Sequence, residues 1–267
     1  MTDSNASIGV FDSGIGGLTV VRALREELPQ ENIVYLGDTA RVPYGNKTAE
    51  TVTRFSLEDC RFLQGQGVKL IVAACNTASA LAMPALLREI PVPILGMIET
   101  GAAAAAGRTV SGRVGVIGTA ATIASGAYAE ALTRLRPGGR TYSKACPLLV
   151  PLVEEGWAGH AVTEAVLREY LPEILGENID TLVLGCTHYP LLKEAIARVA
   201  GPTVALVDSA QASAQAVRRY LTRSAGLNPG PGSGRLTVCV TDLPARVGEF
   251  TARFLGIPEL PVEKVTF

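Results

Sequence analysis

The stretch KLIVAACNT at residues 69–77 decides the fold, because a second stretch, TLVLGCTH at residues 181–188, repeats its plan. In each, a β-branched and aliphatic run ends in a cysteine, Cys75 or Cys186, and small polar residues then open a helical pattern. A cysteine between the carboxyl end of a strand and a helix N-terminus lies where the helix dipole favours the thiolate. The pattern therefore predicts a strand, cysteine and helix unit that occurs twice, with two thiols facing one site.

The rest of the chain alternates short apolar runs with amphipathic stretches, which is typical of an α/β fold with mainly parallel sheets. The predicted strands are residues 8–11, 33–36, 70–74, 114–117, 181–184, 204–207 and 236–240. The predicted helices are residues 48–64, 78–88, 127–135, 162–175, 191–199, 210–221 and 245–254.

A coarse internal repeat indicates two halves. IGVFDS at residues 8–13 and VGVIGT at residues 114–119 each read as a strand that runs into small polar residues ahead of a cysteine. The repeat favours two pseudo-symmetric α/β domains with the active site in the cleft between them, although similar α/β units can look alike without a common origin. We predict a first domain of residues 1–97 plus 207–267, which the C-terminal segment completes, and a second domain of residues 98–206.

Composition narrows the class of partner and the compartment. The 267 residues include 24 basic and 25 acidic ones, so the net charge of −1 gives no attraction to nucleic acid or an anionic membrane. We expect a small-molecule partner. The N-terminus has no signal-peptide pattern and no apolar run reaches membrane-spanning length, which predicts a cytoplasmic protein. The sequence does not determine the oligomeric state, and it is compatible with a homodimer.

The five cysteines form no Cys-x-x-Cys pair, which argues against a disulfide framework and against a structural zinc site. Cys60, Cys146 and Cys239 are expected to be small buried hydrophobic residues. The spacing of Cys186 and His188 is compatible with a metal, but no third ligand lies nearby in the sequence. We therefore expect no metal.

Polar side chains at the strand ends are the candidate ligand contacts, because open α/β sheets bind ligands beyond the carboxyl ends of their strands. These polar segments are residues 12–17, 38–45, 75–77, 118–122 and 186–188. Several of the candidate residues also have a structural alternative. Asn76, Thr77 and Thr187 could be N-caps, and His188 could be a buried structural histidine. Glu154, a further ionisable candidate, could be a solvated helix start. The glycines at positions 14, 16 and 17 form either a tight turn or a cradle for a carboxylate, since their spacing is not the dinucleotide fingerprint.

Two cysteines on opposite faces of one carbon suit a reaction in which a proton leaves one face and another arrives at the opposite face. One sulfur is then a thiolate and the other a thiol, and they exchange states in each turnover. Asp12 or His188 could set the protonation of the neighbouring sulfur. A closed cleft would desolvate the thiolate, and hydrogen bonds to the substrate carboxylate would stabilise the charge that develops there.

The chain resembles the bacterial glutamate racemases of the aspartate/glutamate racemase superfamily. The resemblance rests on blocks in the family order: VFDSGIGG at 10–17, GDTARVPYG at 37–45, ACNTA at 74–78, GVIGT at 115–119, ACP at 145–147, PLVEEG at 151–156 and LGCTHYP at 184–190. It implies cofactor-independent interconversion of L-glutamate and D-glutamate, with D-glutamate supplied to peptidoglycan synthesis.

The resemblance also implies roles for single residues. Cys75 would take the α-proton from D-glutamate with help from Asp12, and Cys186 would take it from L-glutamate with help from Glu154 and His188. The expected substrate contacts are Asp12, Ser13, Tyr44, Gly45, Asn76, Thr77, Thr119, Thr187 and His188. Only seven residues precede the first predicted strand, so activation through a longer N-terminal extension, seen in some relatives, is not expected.

Other classes stay open at this stage. An aspartate racemase differs by one methylene in its substrate, which spacing alone cannot resolve, whereas a decarboxylase that uses a single cysteine would not need both Cys75 and Cys186. A thiol-regulated amino-acid-binding protein would not need opposed sulfurs. A pyridoxal enzyme is disfavoured because none of the five lysines lies in a recognisable Schiff-base context.

Overall fold

The protein is described by a computed structural model over residues 3–243 and 246–266. The strands are β1 (Ile8–Asp12), β2 (Ile33–Gly37), β3 (Leu70–Ala73), β4 (Ile94–Gly96), β5 (Arg113–Gly118), β6 (Arg140–Ala145), β7 (Thr181–Gly185), β8 (Ala205–Asp208), β9 (Leu236–Val240) and β10 (Val262–Lys264). The α-helices are α1 (Leu18–Glu27), α2 (Ala49–Gly65), α3 (Asn76–Leu81), α4 (Met83–Glu89), α5 (Met97–Arg108), α6 (Ala120–Ala124), α7 (Ala127–Leu135), α8 (Leu149–Glu154), α9 (Ala161–Tyr170), α10 (Pro172–Leu175), α11 (Lys193–Ala200), α12 (Ser209–Arg223) and α13 (Val247–Leu255).

The strands form two sheets with the same internal order. The first sheet runs β10-β9-β2-β1-β3-β4 and the second runs β6-β5-β7-β8, and neighbouring strands are parallel throughout. The series β2-β1-β3-β4 therefore corresponds to β6-β5-β7-β8. This confirms the α/β class, the mainly parallel sheets and the pseudo-symmetry that the sequence predicted.

The two cysteine segments occupy equivalent positions. β3 pairs with β1 and ends before Cys75, while β7 pairs with β5 and ends before Cys186. β1, β2, β3 and β7 are buried along their whole length, as parallel strands covered by helices on both faces must be. Near-continuous runs of aliphatic residues give these strands that burial, and the sheets in turn fix both cysteines at carboxyl ends.

All seven predicted strands are present, with ends that differ by one residue at most. The sequence did not predict β4, β6 or β10. β4 and β10 have three residues each, too short for a periodic signal, and β6 (RTYSKA) is polar and only partly buried. Short or exposed edge strands carry little hydrophobic pattern, so single-sequence reasoning passes over them.

Two predicted helices are each divided in two at a proline. Residues 78–88 belong to α3 and α4, with Pro84 in the first turn of α4, and residues 162–175 belong to α9 and α10, with Pro172 opening α10. Proline lacks the N–H that a continuing helix needs, but it fits a first turn. The sequence did not predict α1, α5, α6 or α8. The predicted start of the last helix, Ala245, lies outside the described residues, and α13 begins at Val247.

Helices α5 and α12 connect the two sheets and pack against each other. α5 follows β4 and leads to the second sheet, and α12 follows β8 and leads back toward β9. The division into residues 1–97 plus 207–267 and 98–206 stays a prediction, and residues 1, 2, 244, 245 and 267 of it lie outside the described residues. β8 extends to Asp208, so the second boundary falls within a strand.

Throughout residues 3–243 and 246–266, no helix combines the length and the apolar character needed to span a bilayer.

Candidate active site

A cavity of about 620 Å³ opens where the carboxyl ends of the two sheets face each other. Its size lies within the range of small-molecule sites. Eleven of the twelve residues predicted for the site line it: Ser13, Tyr44, Gly45, Cys75, Asn76, Thr77, Thr119, Glu154, Cys186, Thr187 and His188. The twelfth, Asp12, is 1% exposed and is not part of the lining.

Cys75 is itself the N-cap of α3. Its Sγ accepts a hydrogen bond from the Ala78 N–H at 3.4 Å, and its thiol donates to Ser13 Oγ at 3.6 Å. Asn76 and Thr77 are therefore the first residues of the helix, so the alternative that they act as N-caps is wrong. The end of β3 and the first turn of α3 together hold this sulfur at the cavity wall.

Asp12 lies behind Cys75 in a buried position. Its Oδ2 accepts a hydrogen bond from the Gly14 N–H at 3.1 Å, and its Oδ1 has no hydrogen-bond partner among the described residues. Burial raises the pKa of Asp12, against the opposing effects of the His188 charge and of backbone N–H groups. Burial, and then the Asp12 charge, raise the pKa of the Cys75 thiol to about 12. At neutral pH Cys75 is therefore a thiol in the absence of substrate.

The glycine-rich turn after β1 packs closely against side chains on two sides. A Cβ on Gly17 would lie 2.5 Å from Asp12 Cβ, and one on Gly16 would lie 2.4 Å from Thr187 Oγ1. Thr19 Oγ1 donates to the Thr187 carbonyl at 2.9 Å. The backbone of this turn binds the protein's own carboxylate at Asp12, and it also contacts the second half of the site. These close contacts leave no room for a Cβ at Gly16 or Gly17.

Cys186 belongs to a chain of three side chains. Its Sγ lies 3.9 Å from His188 Nδ1, and His188 Nε2 lies 3.0 Å from Glu154 Oε1. Burial alone would lower the pKa of His188, but the hydrogen bonds with Cys186 and Glu154 raise it to about 10. The imidazole is consequently protonated at neutral pH, with one N–H directed at the sulfur and the other at the carboxylate. Glu154 stands at the end of α8, which rules out the solvated helix start.

The remaining polar side chains connect the two halves of the molecule beside the cavity. Thr77 Oγ1 lies 2.9 Å from Thr119 Oγ1, and both lie within hydrogen-bond distance of Thr122 Oγ1. Tyr128 Oη donates to Asn76 Oδ1 at 2.8 Å. Thr119 is also the N-cap of α6, so its hydroxyl has both a structural partner and a place in the cavity wall.

Tyr44 reaches the cavity in a different way from its neighbours. Its hydroxyl donates to the carboxylates of Asp38 and Asp59, and Arg41 pairs with the same two groups. The hydroxyl is thus committed to this buried network. The ring and main chain of Tyr44, with Gly45, are what remains for contact with a ligand.

Several lining residues were missed from the sequence. Among them, Asp242 follows the carboxyl end of β9, so the rule that selected the other strand ends could have found it. Phe250 comes from α13, and Pro147, Val150 and Pro151 come from the start of α8 and the segment before it. Val150 and Phe250 carry no sequence signal for a site, because their place depends on how the helices pack over the cavity. Pro147 and Pro151 lie in two of the blocks on which the family resemblance rests.

In the part of the chain that the structure describes, no group of three or more His, Cys, Asp or Glu side chains is arranged to hold a metal ion. All five cysteines are free and buried, as expected for Cys60, Cys146 and Cys239.

Comparison with known proteins gives consistent findings. A family model described as Asp/Glu/Hydantoin racemase matches residues 9–217. A glutamate racemase of Syntrophus aciditrophicus is 53% identical to this chain over 97% of its length and 96% of the relative's. The structure of glutamate racemase from Thermus thermophilus in complex with β-chloro-D-alanine superposes with a TM-score of 0.89 at 48% identity, covering 99% of this chain and 98% of that one. Glutamate racemase from Francisella tularensis in complex with D-glutamate gives a TM-score of 0.91 at 38% identity, covering 98% of each chain.

Proposed function

The chain belongs to the Asp/Glu/Hydantoin racemase family, and from this premise we propose that it interconverts L-glutamate and D-glutamate by moving the α-proton between two cysteines. The enzyme is an isomerase that acts on a small molecule, as the nearly full-length identity to glutamate racemases supports. The observation that carries the two-cysteine proposal is that Cys75 and Cys186 line one cavity, each with its own acidic or basic partner.

The surroundings of the two sulfurs suit the reaction that starts from L-glutamate. Cys75 is a thiol, and protonated His188 supplies a positive charge beside Cys186 Sγ, which stabilises a thiolate there. The Cys186 thiolate takes the α-proton of L-glutamate, and the Cys75 thiol delivers its proton to the opposite face of the carbon. The product is D-glutamate, with Cys75 left as the thiolate and Cys186 as the thiol.

The reverse reaction starts from that second state. Asp12 is the group behind Cys75, and an ionised Asp12 raises the free energy of a thiolate there. The Cys75 thiolate is therefore a strong base, which suits it to removing the weakly acidic α-proton of D-glutamate. Asp12 and the pair of Glu154 and His188 thus adjust the two sulfurs by different means.

The substrate carboxylates need donors in the cavity wall. Asn76 Nδ2 is a buried donor with no partner among the described residues, and the Thr77, Thr119 and Thr187 hydroxyls line the same cavity. Donors fixed in advance stabilise the negative charge that develops on the α-carboxylate when the proton leaves. We assign the substrate contacts to these residues together with Ser13, Tyr44, Gly45 and His188.

The cellular setting follows from the same chemistry. A mechanism that needs two free thiols requires a reducing compartment, so we propose that the enzyme acts in the cytoplasm and supplies D-glutamate for peptidoglycan synthesis. A homodimer also stays a proposal, and sedimentation of the purified protein would test it.

Two alternatives can be separated by one experiment. The purified protein is incubated with L-glutamate or L-aspartate, and loss of optical rotation is followed. We expect racemisation of glutamate at a rate at least 100-fold above that of aspartate. Faster reaction with aspartate would identify an aspartate racemase, and no reaction with either would favour a thiol-regulated amino-acid-binding protein.

A further inference from the structure

The amide of Asn76 has one group satisfied and one group unpaired. Asn76 is 2% exposed, and its Oδ1 accepts the hydrogen bond from Tyr128 Oη at 2.8 Å. Its Nδ2 has no hydrogen-bond partner among the described residues, although Asn76 lines the cavity beside Cys75. A buried unpaired donor is costly, so this N–H group is set to donate to a ligand.

Tyr128 reaches Asn76 from the other half of the molecule. It lies on α7, which packs with the second sheet, whereas Asn76 begins α3 behind β3 of the first sheet. Two glycines make room for it: a Cβ on Gly101 would lie 2.9 Å from Tyr128 Oη, and one on Gly185 would lie 3.1 Å from its Cε2. The side chain is 2% exposed and does not line the cavity. Tyr128 therefore acts on Asn76 and not on the substrate.

The hydroxyl of Tyr128 can hold the amide in one orientation. An asparagine amide can turn by half a rotation and exchange its donor and acceptor, and only a fixed partner decides which of them faces the cavity. Burial, and then the Cys186 charge, raise the pKa of Tyr128, so the hydroxyl keeps its proton and stays a donor at neutral pH. Its hydrogen bond to Oδ1 leaves Nδ2 as the end of the amide that has no partner among the described residues, on a side chain that lines the cavity.

We propose that Tyr128 is a positioning residue of the racemase, which reaches across the two halves to fix the Asn76 amide with Nδ2 toward a carboxylate of glutamate. The proposal rests on the proposed function, since it names glutamate as the ligand. Tyr128 would affect catalysis only through its contact with Asn76. It also makes the binding of the carboxylate depend on the relative placement of α3 and α7.

The test is a double-mutant cycle with Tyr128→Phe and Asn76→Ala, because phenylalanine keeps the ring and removes only the hydroxyl. We expect Tyr128→Phe to raise KM for glutamate about 10-fold, within the range for loss of one hydrogen bond, while kcat changes less than 3-fold. In the Asn76→Ala background the same change should alter KM less than 2-fold. Tyr170→Phe is the matched control. It removes a tyrosine hydroxyl that accepts a hydrogen bond from the Leu148 N–H, and it should leave KM unchanged.

The outcomes separate the two levels of the proposal. An unchanged KM in Tyr128→Phe, or an equal effect in both backgrounds, would overturn the positioning role while leaving the racemase proposal intact. A fall in kcat and in melting temperature without a change in KM would indicate packing alone and would also overturn it. A wild-type protein that does not racemise glutamate would remove the proposed function, and this inference with it.

Discussion

At the scale of single residues, the two cysteines are supported by different groups. Cys75 has a buried carboxyl behind it, at Asp12, whereas Cys186 has a protonated imidazole beside it. The first arrangement favours a thiol and the second favours a thiolate. The pseudo-symmetry of the fold therefore does not extend to the electrostatics of the site, because the two sulfurs have neighbours of opposite charge.

The charge on His188 can be measured directly. The chain has two histidines, His160 and His188, so a His160→Gln variant leaves a single imidazole to follow by NMR. We expect His188 to titrate near pH 10, and Glu154→Gln to lower that value because the negative charge that helps to raise it is lost. Titration of His188 near pH 6.5 in the otherwise unchanged protein would contradict a protonated imidazole beside Cys186.

The same pKa shift has a consequence for stability. The pKa of His188 is higher in the folded protein, about 10, than its ordinary value of 6.5. The stabilisation from its protonated form is thus complete below pH 6.5 and is lost as the pH rises through 10. Melting curves should show a steeper loss of stability over this interval in the wild type than in His188→Gln. Parallel curves for the two proteins would argue against the shift.

Each cysteine should be essential in both directions. Cys75→Ala or Cys186→Ala removes the acid for one enantiomer and the base for the other, so racemisation should fall at least about 1,000-fold in each. Cys239→Ala, at a buried cysteine on β9 outside the cavity lining, is the matched control and should keep its activity. Full activity in either site variant would rule out the two-thiol mechanism.

Much of the site could be predicted residue by residue, because strand ends in a parallel sheet meet at one edge. Cys75, Thr119 and Cys186 were found in this way, and each lines the cavity. Tyr128 could not be found, since its role depends on a helix of one half reaching a side chain of the other. The cap of α3 was also misassigned, because a cysteine sulfur is a weak acceptor that sequence rules do not count as a cap.

At the scale of elements, the turn between β1 and α1 joins the two halves of the site. Gly16 lies against Thr187 and His188, so Gly16→Ala must displace one side or the other. We expect kcat/KM to fall about 100-fold or more, since displacements of about 1 Å at a site have effects of this size. Wild-type kcat/KM in Gly16→Ala would show that this close approach is not required.

Gly107→Ala is the matched control for that experiment. Gly107 lies in α5, and nothing lies within 4 Å of a Cβ placed there. Alanine is the better helix former, so the control should gain about 0.5–1 kcal/mol of stability and keep its activity.

The elements themselves were predicted well where burial is complete and poorly elsewhere. β1, β3 and β7 are buried throughout, and their aliphatic runs identified them. β6 is polar because it lies at the edge of its sheet, and the helix at 78–88 divides where Pro84 begins a new first turn. Helix breaks at proline are readable in principle, whereas a half-exposed edge strand has no pattern strong enough to compete with a loop.

At the scale of the whole molecule, a buried ion pair ties distant parts of the chain together. Lys69 Nζ lies 2.6 Å from Glu31 Oε2, and it donates to the Ser4 and Gly226 carbonyls. Both side chains of the pair are at most 2% exposed. The lysine therefore joins three segments next to the first sheet: the N-terminal segment, the loop between α1 and β2, and the segment after α12.

Removal of this lysine should affect stability more than catalysis. Lys69→Met leaves the buried Glu31 carboxylate without its positive partner, so we expect a loss of about 3–5 kcal/mol in the free energy of unfolding, measured with urea. The exposed pair of Arg22 and Glu26 provides the matched control, and Arg22→Met should lower stability by less than about 1 kcal/mol. Equal losses in the two variants would contradict a special role for the buried pair. Below its melting temperature, Lys69→Met should keep its kcat/KM.

The measurement that tests the central claim most directly is the isotope content of both glutamate enantiomers early in a reaction that starts from L-glutamate in deuterated water. The Cys75 thiol exchanges its proton for deuterium from the solvent, so it delivers deuterium to the product. The Cys186 sulfur removes the original proton, and if it returns that proton to the same face, the L-glutamate keeps its α-hydrogen. The two-cysteine mechanism therefore predicts α-deuterium in the D-glutamate formed and almost none in the L-glutamate that remains. Equal deuterium in both enantiomers would indicate a single base, and the absence of D-glutamate would contradict the racemase itself.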